Sequence, residues 1–139
     1  GATHIINSKT HDVAAEVKKI LGIQGADVIV NNTASTEITA KAMDLTKPNG
    51  RVILVGVPKK GDHASLFTLP LHFGKVLTGS HGGECNPTTD IPRFITLVQA
   101  GKLKLNGLIT AQFPLAKINE ALAMMRNGEI AGRCIIEMW

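Results

Sequence analysis

The sequence predicts an α/β protein with an incomplete doubly wound parallel sheet, followed by a C-terminal strand–helix–strand segment. Short apolar runs alternate with amphipathic stretches over the first hundred residues, which is the pattern of βαβ units. The strongest run, at 51–57, has the unbroken apolar core required in a sheet covered on both faces. The glycine-rich Gly-x-Gly-x-x-Gly loop of many such sheets is absent from the sequence. The sheet is therefore incomplete here, or of another kind.

The chain begins with a predicted strand, helix and strand. Residues 4–7 are a short strand candidate. Thr10 or Asp12 can cap a helix with apolar residues at helical spacing, which Gly22 ends. A continuous β-branched run then predicts a buried strand at 27–31.

The next helix and strands continue the alternation. Ser35 or Thr36 can cap a second helix, which the Pro-Asn-Gly sequence at 48–50 stops. The strand at 51–57 follows it, and another strand is predicted at 75–80. Two strands joined through an intervening helix favour parallel pairing.

Proline shapes the prediction for the next part of the chain. The apolar stretch at 66–71 is interrupted by Pro70, which a sheet accepts only at an edge, a strand start or a bulge. Thr89 can cap a helix that has Pro92 in its first turn and ends at Gly101.

The last third of the chain predicts a separate segment. A strand at 108–113, a helix at 117–127 and a strand at 133–137 follow one another there. We therefore predict one domain over residues 1–105 and a C-terminal segment over 106–139.

Composition excludes several classes of protein. The chain has 139 residues, of which 44% are hydrophobic, 19% charged and 4% aromatic. This is too apolar for a disordered tail, and no run is long enough to span a membrane. Two cysteines are no disulfide scaffold and suit a reducing compartment, so we expect a cytoplasmic protein. The net charge of +4 is scattered, which fits a small anionic ligand better than nucleic acid.

The ends of the predicted strands are the candidate ligand site. Open α/β sheets bind ligands at the carboxyl ends of their strands. Three successive strands end in small residues and glycines, at 32–34, 55–58 and 79–83. Each turn alone is explained as an ordinary strand–helix connection, because such turns use glycine anyway. Three together favour a ligand crevice.

Other polar residues give weaker signals. His81, Glu84 and Cys85 lie within reach of one metal ion, but structural zinc usually takes four ligands and no second pair is nearby, so we predict no metal site. Arg133 opens the last predicted strand after glycine-rich sequence, where a guanidinium can hold a phosphate group; an isolated surface arginine is the alternative. We identify no catalytic residue.

Motifs in the right order along the whole chain carry a resemblance. The chain resembles the C-terminal part of medium-chain dehydrogenases, in the zinc-dependent alcohol dehydrogenase branch. The matching segments are 1–7 (GATHIIN), 25–30 (GADVIV), 50–57 (GRVILVGV), 79–83 with 87–93, 108–110, 118–121 and 128–133. The run Asp-Ile-Pro-Arg at 90–93 favours the zinc branch.

The resemblance implies a Rossmann-like cofactor domain that binds NAD or NADP. It places Asn32 and Thr33 near the riboses, the backbone of Val55, Gly56 and Val57 at the nicotinamide carboxamide, Ser80 and His81 against the nicotinamide ring, and Arg133 at the pyrophosphate. The sequence departs from the family pattern at Ala34, where glycine is usual, and at the polar pair Asn31-Asn32.

The resemblance also implies what lies outside this sequence. The glycine-rich fingerprint and the zinc ligands precede Gly1 in the family, and 106–139 returns to a catalytic domain. We therefore expect a fragment that is inactive by itself, taken from an enzyme that acts on a small alcohol or aldehyde. We expect this enzyme to be a homo-oligomer, with 65–68 near a two-fold sheet edge. Because neighbouring strands are missing, one edge of the strand at 27–31 is exposed, and we expect a rearrangement or another chain to cover it.

Two alternative functions remain. One is the zinc-free quinone or enoyl reductase branch of the same superfamily. The other is a non-catalytic remnant that binds nucleotide or scaffolds a partner.

Overall fold

The computed structural model describes residues 2–138 and confirms the α/β class with parallel sheets. The chain forms two compact units, Gly1–Cys85 and Asn86–Trp139, each with a parallel sheet of its own. The domain boundary predicted at residue 105 stays a prediction.

The first unit contains a three-stranded parallel sheet in the order β1-β2-β3. Its helices and strands are α1 (Val13–Leu21), β1 (Ala26–Asn31), α2 (Thr36–Leu45), β2 (Thr46–Leu54) and β3 (Val76–Gly79). Two short 3-10 turns occupy Leu69–Phe73 and Gly82–Glu84.

The N-terminus of each helix in this unit is capped by one of the two residues that the sequence proposed. The Asp12 carboxylate accepts hydrogen bonds from the backbone amides of Ala14 and Ala15, so Asp12 is the cap of α1. The Ser35 hydroxyl accepts from the amide of Ile38 and caps α2. Each cap satisfies amides that have no partner within the helix.

The core of the first unit lies between α2 and the sheet. Ala42 and Met43 on α2 pack with Val52 of β2, which is fully buried. Partly buried apolar residues surround this cluster: Ile29, Leu54, Leu66, Leu71 and Leu77.

A buried lysine holds the end of α2 to this core. The Lys75 ammonium donates hydrogen bonds to the carbonyls of Met43, at 2.6 Å, and Thr46, at 2.5 Å. The last turn of α2 contains no basic residue of its own. Lys75 therefore supplies, from the neighbouring segment, the positive charge that a helix C-terminus favours.

Three predictions for the first unit are wrong. Residues 4–7 form no strand, since they pair with none of the strands between residues 2 and 138, and Ile5 is exposed. Helix α2 ends at Leu45 instead of at 48–50, because β2 begins at once and pairs Thr46 with Ala26. The strand predicted at 51–57 ends at Leu54.

The second unit has α3 (Pro87–Gln99), β4 (Ile109–Pro114), α4 (Ile118–Asn127) and β5 (Arg133–Glu137), with β4 and β5 paired in parallel. The cap of α3 is Asn86, whose side chain accepts from the amide of Thr88, so the prediction of Thr89 is wrong. Pro87 occupies the first turn, where a missing N–H costs nothing, and Pro92 lies inside the helix.

Between residues 2 and 138 no helix has the length and apolar character that crossing a bilayer requires.

Candidate functional site

The carboxyl ends of β1, β2 and β3 lie side by side at one edge of the first unit's sheet. Asn31 is in register with Leu54, and Leu54 with Gly79. All three strands run in the same direction, so the segments that follow them emerge together. Seven of the predicted site residues lie in these segments: Asn32, Thr33, Val55, Gly56, Val57, Ser80 and His81.

Backbone hydrogen bonds hold the three strand ends in place. The Asn31 carbonyl accepts from the amides of Val55, at 2.9 Å, and Gly56, at 3.1 Å. The Leu54 carbonyl accepts from the amide of Ser80 at 2.9 Å. These bonds extend the sheet ladder by about one residue beyond the strands, into the predicted site.

The side chain of Asn31 lies buried beneath this edge of the sheet. Its Oδ1 accepts from the Thr33 amide, at 2.9 Å, and from the Thr33 hydroxyl, at 2.7 Å. Its Nδ2 donates to the hydroxyl of Thr39 on α2 at 3.1 Å. From the sequence, Asn31 is only a departure from a family pattern, and this role was not predicted. The available signal was a polar residue closing an otherwise apolar strand.

Glycine is needed at position 56 for a steric reason that was not evident from the sequence. A Cβ atom at this position would lie 2.0 Å from the carbonyl oxygen of Thr33. The glycine is therefore required by the neighbouring loop of the protein itself. Gly79 is different, because a Cβ there would meet no atom within 4 Å. Close approach of a ligand to backbone is thus open at the end of β3.

The same hydrogen bonds decide which backbone groups of the second segment can meet a ligand. The amides of Val55 and Gly56 already donate to Asn31. This leaves the carbonyl oxygens as the backbone groups that Val55 and Gly56 can offer to a ligand, and Val57 beside them is strongly exposed. Carbonyls are hydrogen-bond acceptors, and the –NH2 of a carboxamide offers two donors.

The third segment turns sharply after β3. The half-buried Ser80 accepts from the Gly83 amide through its hydroxyl at 3.1 Å, and the Glu84 carboxylate accepts from the His81 amide at 3.4 Å. Glu84 has a φ of 55°, which is rare for a residue other than glycine. These bonds leave the His81 side chain exposed beside Ser80.

Metal-ligating side chains do not come together in the described part of the chain. Across residues 2–138 no three His, Cys, Asp or Glu residues are arranged to hold a metal ion. His81, Glu84 and Cys85 are therefore neighbours in sequence without forming such a group.

Arg133 lies in the second unit. It opens β5 with an exposed side chain, and its amide donates to the Leu108 carbonyl at 2.7 Å. The preceding Gly132 has a φ of 94°, and a Cβ there would lie 2.8 Å from the same carbonyl. The position of Arg133 is thus set by its own sheet. An apolar groove of about 460 Å³ also belongs to this unit, and no predicted site residue lines it.

Comparison with known protein families gives a match over most of the chain. The family described as "Zinc-binding dehydrogenase" matches residues 1–100. Alcohol dehydrogenase 1 of Trifolium repens is 33% identical over 99% of this chain and 37% of its own length. A putative alcohol dehydrogenase D of Mycobacterium tuberculosis is 34% identical over 93% of this chain and 36% of its own length. The chain thus spans well under half the length of the relatives that it matches.

Solved structures agree with these relatives. Benzyl alcohol dehydrogenase from Acinetobacter calcoaceticus superimposes with a TM-score of 0.85 at 33% identity, over 100% of this chain and 38% of that protein. An alcohol dehydrogenase from Thermus sp. ATN1, at 18% identity and a TM-score of 0.73, shares the fold over 89% of this chain and 35% of its own.

Proposed function

This chain belongs to the zinc-binding dehydrogenase family, and from that premise we propose that it is the C-terminal, cofactor-binding portion of an NAD(P)-dependent alcohol dehydrogenase. The dinucleotide lies across the strand ends of the first unit. Asn32 and Thr33 contact the riboses, and Val55, Gly56 and Val57 the carboxamide. Ser80 and His81 lie against the nicotinamide ring. The family resemblance assigns the pyrophosphate to Arg133 of the second unit.

One observation carries the proposal. Three parallel strands end at the same sheet edge, and the segments that follow them are joined by the bonds from Val55 and Gly56 to Asn31 and from Ser80 to Leu54. This is the edge at which open α/β sheets bind nucleotides.

The residues at this edge fit a nicotinamide cofactor. The carbonyls of Val55 and Gly56 suit the –NH2 donors of the carboxamide, because the amides of both residues are already bonded within the protein. The open backbone at Gly79 admits a flat ring. When bound, NAD(P) would accept or supply the hydride. The chain's own part is to hold the ring in one orientation and keep its carboxamide paired.

The role of zinc in this proposal is inferred only from the family to which the chain belongs. Zinc in these enzymes polarises the alcohol oxygen, and by the resemblance its ligands lie outside this sequence. We therefore propose that the 139-residue chain by itself oxidises no alcohol, and that the whole enzyme is a homo-oligomer acting on small alcohols or aldehydes. Turnover of an alcohol by the purified chain would contradict the first statement.

Binding of NADH to the chain tests the proposal. We expect amide chemical shifts to move at 32–33, 55–57 and 80–81 when NADH or NADPH is added, and nicotinamide, which carries no ribose, to move only the last two groups. Shifts confined to other parts of the chain would overturn the proposed site.

A matched pair of variants sharpens the same measurement. Val57 and Ile23 are both exposed apolar residues of the first unit, at 83% and 95%. We expect Val57→Glu to weaken NADH binding by about tenfold, because the new carboxylate repels the anionic cofactor, and Ile23→Glu to leave it unchanged. Equal effects of the two substitutions would indicate general charge repulsion without a site.

A further inference from the structure

We propose that Asn31 is a positioning residue that sets the shape of the cofactor-binding edge from beneath, an inference that rests on the proposed function. Asn31 is only 4% exposed, so it acts through its neighbours without contact with a bound dinucleotide. Its one side chain and one carbonyl engage two of the three strand ends.

The first engagement is with the loop after β1. Oδ1 of Asn31 accepts both the amide and the hydroxyl of Thr33, which folds the chain back on itself directly after the strand. An asparagine that bonds the backbone two residues later favours this type of turn. The Thr33 hydroxyl in turn accepts from the Ser35 amide at 3.3 Å.

The second engagement is with α2. Nδ2 of Asn31 donates to the hydroxyl of Thr39, and that hydroxyl donates to the carbonyl of Ser35 at 3.2 Å. Ser35 is the N-cap of α2. The loop between β1 and α2 is therefore tied to Asn31 near its middle, at Thr33, and at its far end, through Thr39.

The third engagement is with the segment after β2. The Asn31 carbonyl accepts the amides of Val55 and Gly56, and Gly56 lies directly against the carbonyl of Thr33. A shift of Thr33 would therefore displace Gly56 as well. One residue thus fixes the spacing between the ribose segment and the carboxamide segment of the proposed site.

These bonds require an amide side chain. Thr33 needs an acceptor and Thr39 is met by a donor, and asparagine supplies both in a buried position. Aspartate has no donor when ionised and would place a charge in the core. Leucine would leave the Thr33 amide and hydroxyl without their acceptor and the Thr39 hydroxyl without the donor that Asn31 supplies.

Two buried threonines provide a matched test. Thr39 and Thr46 are 7% and 3% exposed, and each hydroxyl donates to the carbonyl four residues earlier. Only Thr39 also contacts Asn31. Thr39→Val and Thr46→Val therefore remove similar buried hydroxyls, while only the first disturbs the Asn31 network.

The experiment measures amide hydrogen exchange at Thr33 and the dissociation constant for NADH in the full chain. We expect Asn31→Ala and Thr39→Val to raise Thr33 exchange by about tenfold, the size of one lost hydrogen bond. NADH binding should weaken by a similar factor, and Thr46→Val should leave both quantities as in the unaltered chain. Thr39→Val keeps the test decisive if Asn31→Ala does not fold.

The outcomes separate the two proposals. If the unaltered chain binds no NADH, the proposed function fails, and Thr33 exchange that is the same in Thr39→Val as in the unaltered chain overturns the positioning role of Asn31 separately. If NADH binds but Thr39→Val and Thr46→Val weaken it equally, the positioning role of Asn31 is overturned. Faster Thr33 exchange with unchanged NADH affinity would overturn it as well.

Discussion

Helix α2 of the first compact unit and helix α3 of the second bury their apolar faces to very different degrees. In the first unit, Ala42 and Met43 of α2 are 4% exposed and pack with the fully buried Val52. In the second unit, Ile91 and Ile95 of α3 remain 55% and 51% exposed. Among the described residues of the second unit only Ala121 is buried.

This difference shows that an amphipathic pattern determines a helix but does not determine what covers it. Both α2 and α3 have apolar residues at helical spacing and a capping side chain before the first turn. All candidate site residues except Arg133 lie on the unit with the packed core. Its edge is held by buried polar groups, which need a fixed interior around them.

The largest loss of stability is expected at Gly56, where the first unit has no space for a side chain. Gly56→Ala should lower the free energy of opening of this unit by more than about 3 kcal/mol, because the new methyl group meets the backbone of Thr33. Amide hydrogen exchange of β2 measures this quantity. Gly79→Ala is the control, since its methyl group meets nothing, and should change it by less than about 1 kcal/mol. Equal effects would contradict the close packing at Gly56.

The next effect compares a buried lysine with an exposed one. Lys75→Met should destabilise the first unit by about 2 to 3 kcal/mol, because two carbonyls at the end of α2 lose a charged donor. The exposed Lys104 of the second unit is the control, and Lys104→Met should stay within about 0.5 kcal/mol. Exchange of the α2 amides reports the first change. An unaffected α2 would mean that Lys75 does not hold this helix.

A smaller effect tests the two apolar faces directly. Val52→Ala should cost the first unit about 2 kcal/mol, because it removes fully buried methyl groups. Ile95→Ala should change the second unit by less than about 0.5 kcal/mol, since half of its side chain is already in water and alanine favours helix. Hydrogen exchange of the β2 amides measures the effect of Val52→Ala, and exchange of the α3 amides measures the effect of Ile95→Ala. A large loss for Ile95→Ala would show that the α3 face is covered in solution.

The smallest effect is the response of the first unit to acid. The hydrogen bond and charge of Lys47 hold the pKa of Asp27 below its ordinary value, and Lys41 does the same to the pKa of Glu37. Both contributions are present above the ordinary carboxyl pKa and are lost as the pH falls through the lowered one. Stability should therefore decline slightly below about pH 4.

A variant identifies the source of this decline. Asp27→Asn removes one of the two lowered carboxyl pKa values, so the acid-dependent part of the urea midpoint should shrink. Because Asp27 and Glu37 are strongly exposed, added salt should shrink it too. A decline unchanged by Asp27→Asn would assign it to other carboxylates.

The candidate site was partly predictable from the sequence. Small residues after three apolar runs predicted the segments that meet at the sheet edge, because parallel strands end together. The role of Asn31 was not predictable, since its bonds to Thr33 and Thr39 depend on how α2 packs against β1. The reason for Gly56 was hidden likewise, because the obstructing atom belongs to Thr33, on a different loop.

The sequence by itself determined the class of fold, most of the helices and strands, and the capping residues Asp12 and Ser35 as one of two choices each. These are local properties, governed by side-chain periodicity and by bonds to amides two or three residues away. Only the tertiary structure decided that 4–7 forms no strand, that Lys75 completes α2, and that Asn31 joins two strand ends. Each of these depends on a partner distant in sequence, which no local pattern specifies.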